Sequence, residues 1–438
     1  MLCNYLLLIS LDGFAWNYLD RFGIDNFPNF KSISYNGVKA KYVQNLFLTK
    51  TFPSHFSIVT GLFPESHGIV NNRMYDPNFK SYFKPSNIET RWWDNGAEPI
   101  WVTNQKGNHN LSCNFRSKIV MWPGSEVKIK GIYPTLYTKY SDKMMLKQKI
   151  NMIISSFASN KDKINLGLIY HYQPDLVGHI YGPESREVFN MLKSIDSDIG
   201  YLFNELEAKK LLDHIDIIIT SDHGMTNIHS NQYVILSDIM DLKDFIIVGS
   251  SPVWNIFSNN TKKINLLHNI LNATKYQDKL QVYKKNNIPL RWHYKNNIRI
   301  GDLIIIGQPG YIVALNKEDR SLLIKGNHGF DNSHPDSWPI FFAQGPSFKS
   351  GFQTDSINSI DIYELMCHIL KITPAPNNGS LANIRHILSP DKSESFVHVL
   401  NKLEYKSGSN LLKLPPIMFT FTVTIWMYKA HYTNIYLI

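Results

Sequence analysis

The chain is 438 residues long, 43% hydrophobic and 18% charged, with a formal charge of +9 at pH 7, enough for one large α/β domain or two smaller ones. The basic excess is spread along the chain rather than gathered into a stripe, and no recognisable motif accompanies it, so no nucleic-acid partner is expected. Cys3, Cys113 and Cys367 show no C-x-x-C spacing, which argues against a thiolate zinc site and a disulfide-dense module; one disulfide is allowed, between partners the spacing does not identify.

Residues 5–11 form an apolar run of strand length ending in Asp12. A carboxylate just past the C-terminal end of a core strand is where open α/β sheets place their chemistry, although Asp-Gly is also a common turn. This run lacks a basic n-region and a small-residue cleavage site, so it reads as a buried strand rather than a signal peptide. A short helix is predicted over 27–34 and a second strand over 43–48, leading into Thr51. Thr51 stands between Lys50 and Phe52, and Pro53 suits the first turn of a helix that runs on to Gly61. Its hydroxyl then lies at a helix N-terminus, which favours an anion; taken alone, the stretch also fits a capped surface helix. After Asn72 come many aromatic residues, among them Tyr75, Trp92, Trp93, Trp101 and Trp122, which read mostly as core.

A strand over 166–172 precedes Asp175 and His179, which four residues apart share a helical face or wrap a loop around one ion. Val188, Leu192, Ile195, Ile199, Leu202 and Leu206 alternate steps of four and three, marking an amphipathic helix that packs on the sheet without carrying chemistry. Residues 215–220 are nearly all apolar, a strand buried on both faces; it delivers Asp222 and His223, with Gly224 making the turn. Residues 248–295 show no consistent period. Strands over 303–306 and 311–314 suit a smaller sheet, and a glycine-rich loop carries His328 ahead of a strand over 340–343. A helix over 360–370 ends before Pro374. Sequons at Asn110, Asn259, Asn272 and Asn378 fit a secreted glycoprotein.

Three aspartates, three histidines and one hydroxyl thus fall at strand ends and in glycine turns. Carboxylate and imidazole without cysteine is the ligand set of hydrolytic zinc sites. Two such ions roughly 4 Å apart activate a nucleophile and clamp a phosphoryl oxygen.

The motifs SLDGF (10–14), TKTFPSHFSIVTGLFPESHGIVNNRMYDP (49–77), EPIW (98–101), MWPGSEV (121–127), PDLVGHIYGP (174–183), SDHGM (221–225), NHGFDN (327–332) and LMCHILKITPAPNNGS (365–380) carry a resemblance. The chain resembles the ectonucleotide pyrophosphatase/phosphodiesterase family of the alkaline phosphatase superfamily, as a short member with one catalytic domain. The resemblance implies an α/β fold with a central, mostly parallel sheet flanked by helices and a small accessory sheet. It implies a catalytic domain over 1–390; beyond it the composition reads as a polar stalk over 391–414 and a hydrophobic tail over 415–438, which fits a membrane tail anchor, a processed lipid-anchor signal or a sticky terminal segment. The implied activity is zinc-dependent hydrolysis of phosphodiester and pyrophosphate bonds in extracellular nucleotides, releasing nucleoside 5′-monophosphates through a covalent threonyl-nucleotidyl intermediate.

Carried over by motif, Thr51 resembles the nucleophile. One zinc ion is then held by Asp175, His179 and His328, and the other by Asp12, Asp222, His223 and the Thr51 oxygen. Asn72 matches a donor to a phosphate oxygen. Phe52 and Tyr140 match the pair that sandwiches the nucleobase, with Trp122 in the same pocket and Lys50 helping to hold the nucleotide. His55 and His67 read as structural. Ser54 departs from the family's usual asparagine. The chain begins at its first strand, where relatives carry a leader or anchor; it reads as a leaderless isoform or an incomplete start, so a cell-surface location rests on the resemblance. A monomer is expected. The rival readings are a phosphomonoesterase or sulfatase, a choline-phosphodiester or lysophospholipid hydrolase, and a catalytically silent adhesion ectodomain. Thr51 with Asn72 favours diesters over the first of these, and the Phe52/Tyr140 pair favours a planar base over the second.

Overall fold

The computed structural model describes residues 3–107, 113–229, 231–239 and 241–390. A compact unit spans Met1–Leu388, and the remaining unit, Ser389–Ile438, is described only at its first two residues. The predicted stalk and apolar tail, and the sequon at Asn110, lie outside the described residues. Among those described, no helix is long and apolar enough to cross a membrane.

Eight strands build the central sheet: β1 (Tyr5–Leu11), β2 (Val38–Gln44), β3 (Ser117–Val120), β4 (Leu136–Thr138), β5 (Leu166–His171), β6 (Ile215–Thr220), and, after the accessory sheet, β11 (Phe341–Gln344) and β12 (Phe352–Asn358). The accessory sheet consists of β7 (Ile246–Ser250), β8 (Val253–Phe257), β9 (Leu280–Lys284) and β10 (Leu303–Gly307). In the large sheet the order is β12-β2-β11-β6-β1-β5-β3-β4. All neighbours are parallel except β11, which runs against both β6 and β2. The central strands are mostly apolar because helices cover both faces: every residue of β5 and β6 is buried, Asp216 and His171 included, as are all of β1 but Tyr5.

The helices that bear on the site are α1 (Pro28–Asn36), α2 (Thr51–Thr60), α3 (Leu146–Phe157), α4 (Asp175–Tyr181) and α5 (Arg186–Ala208). The stripe predicted on α5 is buried from Val188 to Leu206. Its Asp196 accepts from the backbone N–H groups of Asn29 and Phe30, supplying an anion where the orphan amides of α1 begin. Gly61 takes a left-handed conformation (φ 67°) and closes α2, as a glycine past a helix end does.

Two predicted elements shift. The second strand lies at Val38–Gln44 rather than over 43–48. Past Gln44 the Asn45 side chain takes the Leu46 N–H and bends the chain out of the sheet; the apolar residues that follow are core filler, with Phe47 stacked on Trp292 at 4.1 Å. Residues Ile312–Ala314 pair with Tyr233–Ile235 rather than with the accessory sheet. Residues 248–295, without period in the sequence, supply three strands of that antiparallel sheet and a helix, α6 (Thr261–Leu271), whose Ile264, Leu267 and Leu271 join its separate core.

Candidate active site

Because β1, β5 and β6 are parallel neighbours, their C-terminal ends deliver side chains to one edge of the sheet. Asp12 follows β1, α4 with Asp175 and His179 follows β5, and Asp222 and His223 follow β6. His328 arrives on the loop after the two-residue strand Gly326–Asn327. The ligand atoms of Asp12, Asp222 and His223 lie within 4.8 Å of one another, and so do those of Asp175, His223 and His328. His223 is the hinge between the two sets. Its Nε2 is 3.3 Å from Asp12 Oδ1 and 3.0 Å from Asp222 Oδ2, and its ring stacks on His328 at 3.5 Å. His179 joins through Asp175, with Nε2 3.4 Å from Oδ2.

Each imidazole is oriented by a backbone carbonyl. His179 Nδ1 faces Gly326 O at 2.7 Å, His223 Nδ1 faces Gly224 O at 2.9 Å, and His328 Nδ1 faces Thr49 O at 2.9 Å. A carbonyl only accepts, so the proton sits on Nδ1 and each Nε2 lone pair is left for the shared centre. The carboxylates are divided in the same way. Asp222 Oδ1 accepts from Gly13 N–H and from the Ser221 hydroxyl, and Asp12 Oδ2 accepts from the Tyr170 hydroxyl at 2.6 Å. Their other oxygens, together with Asp175 Oδ1 and His223 Nε2, are buried without a hydrogen-bond partner.

Burial, reinforced by the Asp222 and Asp175 charges, pushes Asp12 well above the usual carboxylate range. Burial acts the same way on Asp222, but attraction to a protonated His223 or His55 outweighs it and holds that carboxyl low, and the same attraction raises His223 against its own burial; a divalent ion on Nε2 would take that proton's place. Burial, with His223 and Lys50 nearby, drives His328 far down. Unpaired carboxylate oxygens and unprotonated nitrogens in a dry site are what divalent metal relieves, and oxygen–nitrogen donors of this kind suit zinc. The residues present fit such a metal centre.

Thr51 is the first residue of α2 and 9% exposed. Asn72 Oδ1 accepts from the Phe52 N–H at 2.8 Å, which turns its Nδ2 donor face away from the helix. Phe52 packs edge-on to Phe83 and tilted on Trp93. Tyr140 is 54% exposed, with its ring 6.4 Å from that of Tyr170. Two of the predicted substrate contacts sit deeper. Lys50 is buried and donates to Ser251 O at 2.9 Å, and burial lowers its pKa to about 7. Trp122 is 1% exposed and its indole N–H donates to His55 O. His55 in turn holds Thr51: Nδ1 is 2.8 Å from Thr51 O and Nε2 is 2.8 Å from Ser10 Oγ. The sequence reading missed Tyr170 and Ser221. The available signal was position: each is a polar residue where an apolar strand ends, beside one of the candidate ligands.

The family model for type I phosphodiesterase/nucleotide pyrophosphatase matches residues 6–331. The chain belongs to this family. It is a phosphodiesterase, and the relatives agree over most of its length. A bis(5′-adenosyl)-triphosphatase of Xenopus laevis is 39% identical, with 88% of this chain and 81% of the relative aligned. Human ectonucleotide pyrophosphatase/phosphodiesterase family member 5 is 40% identical, over 88% of this chain and 78% of that protein. Among solved structures, the murine ectonucleotide pyrophosphatase/phosphodiesterase 5, in an inactive threonine-to-alanine form in complex with AMP, superposes with a TM-score of 0.82. It is 37% identical and matches 88% of this chain and all of that one. The predicted α/β fold with a mostly parallel central sheet is the fold found.

Proposed function

We propose that this phosphodiesterase hydrolyses nucleoside 5′-polyphosphates and dinucleoside polyphosphates at the phosphorus bonded to the nucleoside, with Thr51 as nucleophile and two zinc ions as cofactors. The observation that carries the reading is the cluster of buried, unpartnered atoms Asp12 Oδ1, Asp175 Oδ1, Asp222 Oδ2 and His223 Nε2, to which Thr51, at a helix N-terminus, is linked through His55, whose Nδ1 lies 2.8 Å from Thr51 O and 3.3 Å from Asp222 Oδ2. The AMP complex of the murine relative and the dinucleotide named for the frog relative support the substrate class.

Asp175, His179 and His328 would hold one ion, and Asp12, Asp222, His223 and the Thr51 oxygen the other. When bound, the ions lower the pKa of the hydroxyl they face and offset charge on the phosphoryl oxygens. Thr51 Oγ1 gives up its proton to solvent and bonds to phosphorus as the bond to the departing phosphate breaks. Water then hydrolyses the threonyl ester, freeing the nucleoside 5′-monophosphate and the hydroxyl. His55 fixes the Thr51 backbone during both steps. Asn72 Nδ2 donates to a phosphoryl oxygen, with Oδ1 anchored on the Phe52 N–H. Phe52 and Tyr140 stack the base, which places the 5′-phosphate beside Thr51. The Cys3–Cys113 disulfide suits an oxidising compartment, in keeping with an enzyme of extracellular nucleotides. The test is product analysis. ATP should give AMP and pyrophosphate, and diadenosine triphosphate should give AMP and ADP; ADP with orthophosphate as first products of ATP would overturn the reading.

A further inference from the structure

The two candidate metal positions are not built alike. At Asp222 one oxygen is saturated by a backbone N–H and a hydroxyl, and at Asp12 one oxygen is saturated by Tyr170. Both carboxylates are therefore left with a single free oxygen, and both are almost fully buried, at 2% and 0% exposure for Asp12 and Asp222. At Asp175 neither oxygen has a side-chain donor. They face His328 Nε2 at 3.6 Å and His179 Nε2 at 3.4 Å, and the side chain is 17% exposed.

Tyr170 itself is rigidly placed. Its carbonyl accepts from the ammonium of the buried Lys149 at 2.9 Å. Its ring meets the edge of His55 at 4.9 Å and 89°. The hydroxyl is therefore held against Asp12 Oδ2 and keeps that carboxylate in one orientation. A donor fixed on the second oxygen of a ligand carboxylate cuts the rotational freedom lost on metal binding and keeps the free oxygen aimed.

We propose that Tyr170 is a positioning residue that makes Asp12 a one-oxygen ligand, and that it thereby makes the Asp12/Asp222/His223 position the tighter of the two. This rests on the reading that the site takes divalent metal. The experiment strips the full chain, reloads it with zinc, and follows release of the ions into a chromophoric chelator. Wild-type protein should release its ions in two separated steps. Tyr170→Phe keeps the ring and loses only the hydroxyl; it should weaken the tighter step by about 10- to 100-fold, as loss of such outer partners does, and leave the looser one unchanged. Tyr294→Phe is the structural control, because that buried hydroxyl donates to Val70 O, away from the ligands. It should lower the melting temperature of the stripped protein without separating or merging the two steps.

Two unchanged steps in Tyr170→Phe would overturn the proposal. So would equal weakening of both steps together with a lower melting temperature of the stripped protein. A wild-type chain that binds no zinc would instead overturn the metal reading itself.

Discussion

A threonine hydroxyl is a weak nucleophile unless its surroundings lower its pKa, so the roles of Thr51 and its neighbours separate under mutation. Thr51→Ala removes the attacking oxygen but leaves Asp12, Asp222 and His223, whose free atoms already lie within 4.8 Å of one another. It should lower kcat by about three orders of magnitude or more, since a nucleophile acts as a unit with the groups around it, while zinc content stays at the wild-type level. Asp222→Asn should abolish activity by another route. It replaces a buried carboxylate by an amide, a poor zinc ligand, and the ion held with Asp12 and His223 should be lost. Kinetics combined with metal analysis tells the two apart. If Thr51→Ala kept more than about a tenth of wild-type kcat, a barrier change under about 1.4 kcal/mol, Thr51 would not be the nucleophile.

At the scale of the elements, the sheet that aims the ligands also carries a cost at its opposite end. Asp216 lies near the start of β6, 2% exposed, and accepts from both the Ser347 N–H (2.9 Å) and the Ser347 hydroxyl (2.7 Å). Burial pushes its pKa up from 3.8 to about 6. The folded chain thus binds this proton more tightly than the unfolded one. The stability the group contributes is fully present below about pH 4 and is lost as pH rises through about 6. Asn at this position keeps an acceptor for the Ser347 N–H and offers a donor to its hydroxyl, with no charge to bury. Asp216→Asn should therefore be more stable than wild type at pH 8, by about 1–3 kcal/mol, with the gap closing toward pH 4. Urea unfolding across that range measures it, and a variant less stable at both ends would count against the burial argument.

The strands that form the middle of the sheet were legible because burial on both faces leaves a nearly continuous apolar run, as at Tyr5–Leu11 and Ile215–Thr220, interrupted only by Ser10 in the first and by Asp216 and the final Thr220 in the second. The α5 stripe was legible for the same reason in helical period. The strand Val38–Gln44 was not: it lies between an antiparallel neighbour and the edge strand β12, and its Lys39 and Lys41 interrupt the apolar signal. Of the accessory sheet, with a core of its own, only the strand at Leu303–Gly307 was legible; its other three strands show too short a repeat to stand out. The six acid and imidazole positions at the site came from motif and strand-end position, and the structure brings them together. Strand-end position marked Ser221 and Tyr170, but that Tyr170 serves Asp12, and that the Gly326 and Thr49 carbonyls stand behind His179 and His328, are contacts at long sequence distance that no local pattern displays. The same holds for Lys50, whose motif neighbours gave no hint that it is buried, while Trp122 is buried as the core reading of the aromatics allowed.

On the scale of the whole molecule, the start of the central strand is covalently tied to a segment far along the chain. Cys3, two residues before β1, pairs with Cys113, four before β3, across a sequence separation of 110. Cys367 is buried and unpaired. Closing a loop of about this length removes unfolded-state entropy worth roughly 3–5 kcal/mol in the chain-entropy account. β3 pairs with β5, and β5 with β1, so the crosslink secures the flank of the sheet that carries Asp12 and Asp175. Denatured, unreduced protein should therefore show one thiol reactive toward a thiol-specific chromophore, against the three cysteines in the chain. The Cys3→Ser, Cys113→Ser double variant should unfold at lower denaturant by an amount matching that energy. Dithiothreitol should destabilise the wild type and leave the double variant where it was. Three reactive thiols in the unreduced protein, or an unmoved unfolding midpoint in the variant, would remove the crosslink from the account of what holds together the strands that carry the site at their far ends.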